Sequence, residues 1–325
     1  MVLPFSSVSL LDRAQSILGG SDADTLQAVV RRARRAEALG YHRFWVAEHH
    51  GVPGIVGSAP TVLAAAVIAG TTSIRVGTGG VMLPNHQPLV VAEQAATLAL
   101  LSGGRFDLGV GRSLGFTQAV RSALRAGTED ADRFGDDIDG LLAFLSGSGP
   151  ITAQPQISGR LPVFVLATGR GLEAAARAGL AVVVGGPALA GDRNPALERY
   201  RSEFRASSWW AHPHVSVSLN VAVAGTTAAA RDLLLPEARA LAVSRTKGHF
   251  PPPDPDTTPV PTTREEGFIA EALAGSIHGT PAEVQQQLIG LRSRTGADEL
   301  LVSGGMADPE GRQRSDELLA ELAAR

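Results

Sequence analysis

Glu48, His49 and His50 stand in a row where a short apolar run, residues 44–47, gives way to Gly51 and Pro53. Three titratable side chains in succession can hold or pass a proton, and histidine does so near neutral pH. A second apolar run ends in GTGGVMLPNHQP, which supplies Gly77, Gly79, Gly80, Asn85 and His86. Backbone without side chains there lets a flat ligand come close. A third run, RFDLGV, is followed by Gly111 and Arg112, whose planar guanidinium suits a phosphate or carboxylate. A fourth leads into Ala167, Thr168, Gly169, Arg170 and Gly171 and then a helical pattern, whose first free amides would suit an anion. Arginine and helix start together describe a phosphate site built from two loops. A lone histidine would most simply hydrogen-bond its own loop, but two adjacent ones point different ways, so one of the pair faces the site. Adjacent histidines on a loop have no ligand spacing of their own, and no metal is expected.

The elements that must position these residues repeat along the chain. Strand-like runs fall at 6–11, 43–47, 74–79, 105–110, 161–166, 180–185, 214–223 and 298–304, mostly separated by helical patterns such as 60–69 and 88–101. Midpoints of the first four lie roughly 31 to 36 residues apart, the length of a βαβ unit. Eight such units predict an α/β fold, a closed (β/α)8 TIM barrel, with residues 1–325 as one domain and insertions after strands 4 and 7, at 111–160 and 225–280. The first insertion reads as a loop, an amphipathic helix and a Gly/Ser/Pro-rich segment; the second holds helices around GHFPPPDPDTTPVPTT, too proline-rich for helix or central strand. Each is either a tolerated surface insertion or a lid over the site. Barrel chemistry sits at the carboxyl ends of the strands, which is where all four residue groups fall. Phe5, Leu11, Phe116, Trp209, Trp210 and Phe250 are candidates for an apolar wall, and RRARR at 31–35 reads as a solvated helix face.

Composition narrows the function. With 44% hydrophobic and 19% charged residues over 325 positions, the chain is globular. A net charge of -3 gives no reason to expect nucleic acid or an anionic membrane. The lack of cysteine removes disulfides, thiolate metal sites and a cysteine nucleophile, and fits a reducing, cytoplasmic setting. The glycines of GVGRSLG are spaced GxGxxxG with no acidic partner about twenty residues on, so a dinucleotide fold is not expected.

The stretch YHRFWVAEHHGVPGIVGSAPTVLAAAVIAGTTSIRVGTGGVMLPNHQPLVVAEQAATLALLSGGRFDLGVGRS, at 41–113, closely resembles the bacterial luciferase-like flavin monooxygenase family. The likeness continues through LEAAARAGL and the tail GTPAEVQQQLIGLRSRTGADELLVSGGMADPEGRQRSDELLAEL, so it covers most of the chain. It implies reduced FMN delivered by a separate flavin reductase, met transiently or by diffusion, and reaction with dioxygen through a flavin hydroperoxide to place one oxygen atom in a small organic substrate. It also implies that His49 is the active-site base, that a cis peptide falls at Gly79–Gly80 beneath the flavin, and that Arg112 with Thr168, Gly169, Arg170 and Gly171 holds the phosphate. Glu48 and His50 become structural support. Gly111 stands where luciferase has a cysteine beside the flavin, and Ala167 and Thr168 where it has glutamate and serine, departures that argue against light emission. The resemblance further suggests a homodimer through the early helices. Three other readings stay open: a deazaflavin-dependent hydride-transfer oxidoreductase, a non-catalytic flavin-binding protein, and a non-flavin barrel acting on a phosphorylated metabolite.

Overall fold

Strand alternation decides what the centre of the molecule contains. The computed structural model describes residues 3–159, 161–189, 191, 194–254 and 260–324. Eight strands run β1 (Ser7–Asp12), β2 (Arg43–Val46), β3 (Arg75–Thr78), β4 (Phe106–Gly111), β5 (Val163–Leu166), β6 (Ala181–Gly185), β7 (Val215–Val223) and β8 (Glu299–Ser303). Each pairs in parallel with the next, and β8 closes on β1 with Ser7 opposite Glu299. The result is the eight-stranded TIM barrel that the strand count predicts. Two short additions carry too few residues for a periodic signal: Val81–Met82 beside the end of β4, and Ile277–Gly279 beside the end of β7.

Helices surround the ring: α1 (Asp22–Ala38), α2 (Pro60–Gly70), α3 (Pro88–Leu101), α4 (Gln118–Leu124), α5 (Thr128–Asp132), α6 (Phe134–Ser146), α7 (Arg170–Ala178), α8 (Pro195–Glu203), α9 (Thr227–Lys247), α10 (Thr263–Ala274), α11 (Pro281–Thr295) and α12 (Pro309–Ala323). Their starts are chemically marked. Ser21, Thr226 and Asp308 cap α1, α9 and α12 with side-chain oxygens, and Thr262–Glu265 and Thr280–Glu283 form reciprocal capping boxes at α10 and α11. The insertion after β4 contains α4 and α5 as well as the amphipathic α6; at seven and five residues, the first two are too short to show a helical period. The insertion after β7 holds α9 and α10, and residues 255–259 of its proline-rich part lie outside the described residues.

Outward strand residues such as Val8, Leu10, Phe44, Val76 and Leu108 pack under the helices in the main core. Inward residues form layers. A polar layer of Ser9, Arg43, Asp107, Ser216 and Glu299 lies toward the amino ends of the strands, all of it buried. Above it sits an apolar plug of Leu11, Trp45, Phe164, Ala181, Val183 and Leu301. Past the plug the inward positions shrink to Ala47, Gly79, Gly111 and Gly185, so the carboxyl mouth has a bulky floor and small walls.

The RRARR face departs from expectation. Arg32 is buried, donating through Nε and Nη2 to both oxygens of Asp316 at 2.9 and 3.0 Å and through Nη1 to Asp12 at 3.0 Å. α1 crosses β1 and α12 at this residue, and a carboxylate from each neutralises it, so only part of the run is solvated.

Candidate active site

The exits of β2 and β3 are joined by one carboxylate. Glu48 is 4% exposed; its Oε1 accepts from His50 Nε2 at 2.6 Å and His86 Nε2 at 2.8 Å, and its Oε2 from the Met82 amide at 2.9 Å. Burial alone would raise the Glu48 carboxyl, but the His86 hydrogen bond and charge, the Met82 amide and His50 together hold it below the usual range. Glu48, His50 and His86 bring three ligand atoms within 4.8 Å of one another. Both carboxylate oxygens are already engaged by donors, and the cluster works as a latch between two loops.

His49 is the contrary case. Its amide donates to the Gly57 carbonyl at 2.8 Å, while its ring lies parallel to Phe116, centroids 5.8 Å apart, with Nδ1 buried and without a partner. Burial first, then repulsion from Arg13, pushes its pKa down to about 4 against a smaller opposing pull from Glu48. At neutral pH it is therefore an uncharged imidazole with a ring nitrogen left unpaired. The adjacent histidines divide, His50 latched to Glu48 and His49 stacked on Phe116.

The Gly79–Gly80 peptide beside them is cis, and the Gly79 amide donates to Val46 O at 2.7 Å. A side chain at Gly79 would meet Leu11 Cδ1 at 2.4 Å. At Gly111, at the end of the neighbouring strand β4, the nearest atom to an added Cβ is Leu166 O at 3.7 Å, an ordinary contact. The backbone is crowded at the exit of β3 and open at the exit of β4 beside it.

Arg112 reaches out of β4 and donates from Nε to Ala131 O at 2.7 Å and from Nη2 to Asp132 Oδ1 at 2.9 Å. Arg170 Nη1 lies 3.7 Å from the same Asp132 oxygen. Below them is a cavity of about 200 Å³ whose walls include Arg112, Asp132, Arg170, Glu173 and Arg177. Thr168, Gly169 and Gly171 form the turn into α7, with Gly169 at φ +55° and no side-chain cap. The Gly171 and Leu172 amides donate back to Thr168 O and Gly169 O at 3.3 and 2.9 Å, so fewer helix amides are free for an anion than the sequence suggests. Guanidinium groups dominate this site. Asp132 and Arg177 carried no sequence signal: the path of α5 brings Asp132 to Arg112, and Arg177 reaches the cavity from the last turn of α7.

The six apolar candidates separate. Leu11 floors the mouth, Phe116 covers His49, and Phe250 meets the loop after β2, accepting at its carbonyl from the Gly54 amide at 3.0 Å. Phe5, Trp209 and Trp210 belong to the opposite end. Phe5 lines a cavity with Leu39, His42 and Ser73, ahead of β2 and β3, and Trp210 donates to Val163 O at the start of β5 while stacking on His214 just before β7, next to Trp209. No described helix is long and apolar enough to cross a membrane.

Against known proteins, the model of the family described as luciferase-like monooxygenase matches residues 4–299. A luciferase-like monooxygenase of Escherichia coli (strain K12) is 34% identical over 321 residues, covering 97% of this chain and 96% of that one. The solved structure of apo-MsnO8 superposes with a TM-score of 0.84 at 30% identity, covering 98% of this chain and 97% of that one. More distant structures share the fold. The oxygenating constituent of 3,6-diketocamphane monooxygenase from the CAM plasmid of Pseudomonas putida, in complex with FMN, has a TM-score of 0.72 at 17% identity, covering 98% of each chain. An F420-dependent secondary alcohol dehydrogenase with an F420-acetone adduct has 0.74 at 15%, covering 100% of each.

Proposed function

The chain belongs to the luciferase-like monooxygenase family, whose members are flavin-dependent oxidoreductases, and from that premise we propose that it is a two-component FMN monooxygenase. It would take reduced FMN from a separate flavin reductase and, with dioxygen, insert one oxygen atom into a small organic substrate. The observation that carries this reading is the meeting, on one rim, of a neutral histidine with an unpaired ring nitrogen and an arginine-walled anion cavity.

The residues fit the cofactor. Arg112 and Arg170, with the Thr168–Gly171 turn, would hold the phosphate, and Gly111, whose Cβ direction is open, would leave flat space above the Leu11 and Trp45 floor with the close-packed Gly79–Gly80 backbone as its wall. When bound, reduced FMN supplies the electrons that activate dioxygen. This chain's own part is to position, to exclude water and to manage one proton. His49, kept uncharged by burial, would take up a proton through its free nitrogen and return it. Glu48 fixes the β2 and β3 exits around it, and Phe116, Leu11 and Phe250 supply apolar surface at the mouth.

Other features of the reading are a single barrel domain over 1–325, a cytoplasmic setting and a homodimer. The absence of cysteine supports the setting. The dimer is supported by α2 and α3, which leave Val62, Val90, Leu100 and Leu101 exposed.

The test compares His49→Ala and Arg112→Ala with the wild type. His49→Ala should bind FMN normally but lose product formation by about 10²- to 10⁴-fold. Arg112→Ala should bind FMN more weakly with riboflavin affinity unchanged. Unchanged turnover in the first variant, or equal losses for both flavins in the second, would overturn the respective role. Oxygen-independent turnover with a reduced deazaflavin would favour hydride transfer instead.

A further inference from the structure

The anion cavity already contains an anion of the protein's own. Asp132 Oδ1 sits between two guanidinium groups, 2.9 Å from Arg112 Nη2 and 3.7 Å from Arg170 Nη1. The end of α5 also offers Arg112 a carbonyl, Ala131 O, at 2.7 Å from Nε. Arg112 is thus approached along one edge by a carbonyl and a carboxylate, much as it would meet two oxygens of a phosphate. The other cavity carboxylate, Glu173, is drawn outward to Arg199 Nη1 at 3.3 Å. Among the described residues, Asp132 pairs only with the two arginines of the site.

We propose that Asp132 is an internal competitor at this site: its carboxylate holds the ligand's place between Arg112 and Arg170, so any anion that enters the cavity must displace it and binds more weakly than it would without Asp132. The proposal rests on the reading of this cavity as the cofactor phosphate site. Attraction to a fixed set of guanidinium groups scales with ligand charge. A singly charged anion replaces one negative charge by another and gains little; a doubly charged phosphate monoester gains a further charge's attraction to Arg112, Arg170 and Arg177. What must be given up is small. The Asp132 side chain is 62% exposed, and pairs that open to water contribute little. The preference for a monoester terminus over a diester linkage therefore comes from the arginines, and Asp132 lowers the affinity for either by a modest, shared factor.

The experiment uses the full chain at pH 8, where a phosphate monoester carries close to two charges. Wild type, Asp132→Asn and, as a control for net charge, Asp136→Asn are titrated with methyl phosphate and with dimethyl phosphate, following thermal stability. They are also titrated with oxidised FMN and riboflavin, following flavin fluorescence. The wild type should respond to methyl phosphate and scarcely to dimethyl phosphate. Asp132→Asn should tighten both esters by about twofold to fivefold, methyl phosphate at least as much as dimethyl phosphate; Asp136→Asn should match the wild type. Unchanged or weaker binding of both esters by Asp132→Asn overturns the proposal, the weaker result meaning that Asp132 merely orders Arg112. The underlying reading fails separately: equal affinity for FMN and riboflavin in the wild type would remove the cofactor phosphate from this cavity whatever the two esters do.

Discussion

The two ends of the barrel interior treat buried polar groups in opposite ways. Toward the amino ends, Arg43 pairs with Asp107 at 2.5 Å and Glu299 at 3.1 Å, Arg75 takes the other Asp107 oxygen at 2.6 Å, and the Ser9 hydroxyl donates to Glu299 at 2.5 Å. Burial would raise Glu299, but His214, Arg43 and Ser9 bring it down to about 2. Every charge in that layer is met by an opposite charge or a hydrogen bond. At the carboxyl mouth the Nδ1 of His49 and both side-chain polar atoms of Asn85 are buried without partners, and Arg170 is largely open to solvent. A satisfied network fixes the geometry of the strands; groups left unsatisfied on that frame are available to a ligand. The same side-chain chemistry can serve either purpose, and whether its partners lie within the protein separates the two.

The largest effect that sharpens this contrast comes from cutting the satisfied end. Arg43→Met leaves Asp107 and Glu299 buried without their shared cation, and should cost about 3–5 kcal/mol in urea unfolding. Turnover and FMN affinity per folded molecule should change little, because the mouth lies beyond the apolar plug. A loss of activity at full stability would break the contrast, since the amino-end layer would then belong to the site.

The unsatisfied end should show itself through pH. His49 has a folded pKa of about 4 against an ordinary value of 6.5, so the unfolded chain takes up this proton first as pH falls. The sign follows: above pH 6.5 the group contributes nothing to the pH dependence, and between 6.5 and 4 it removes stability, reaching about 3 kcal/mol in total. Glu299 acts in a lower window, its stabilisation fading as pH drops from 4.5 toward 2. His49→Gln should flatten the upper window and leave the lower one unchanged, as measured by urea unfolding across pH 3 to 8. An upper window that persists in His49→Gln would assign it to another histidine and leave His49 ordinary.

What was legible beforehand follows the same division. The barrel could be read because each strand spends four or more residues on an apolar run, and EHH and NHQP could be placed because they end such runs. Arg112 and the Thr168–Gly171 turn were legible by the same rule. What escaped depends on contacts distant in sequence. Arg32 reads as solvated until Asp316 reaches it from 284 residues away. Trp209 and Trp210 look like pocket aromatics, but residue type does not say at which end of a barrel a loop lies. Asp132 sits on a five-residue helix inside an insertion, and its meeting with Arg112 and Arg170 is set by how that insertion folds back.

The smallest expected effect tests the openness of the mouth itself. Gly111 is at the end of β4, and a methyl group there would lie 3.7 Å from Leu166 O with nothing closer. Gly111→Ala should shift stability by less than about 1 kcal/mol, since a residue with no positive φ to satisfy loses some freedom in the unfolded chain and strains nothing when folded. Gly79→Ala, whose methyl would run into Leu11 Cδ1 at 2.4 Å, serves as the crowded counterpart and should cost more. The informative measurement is flavin affinity in Gly111→Leu. If the open side receives the flat part of the cofactor, the longer side chain should weaken FMN and riboflavin alike without lowering the unfolding midpoint. If both bind as before, the small positions across the mouth are spaced for strand packing and not for a ligand.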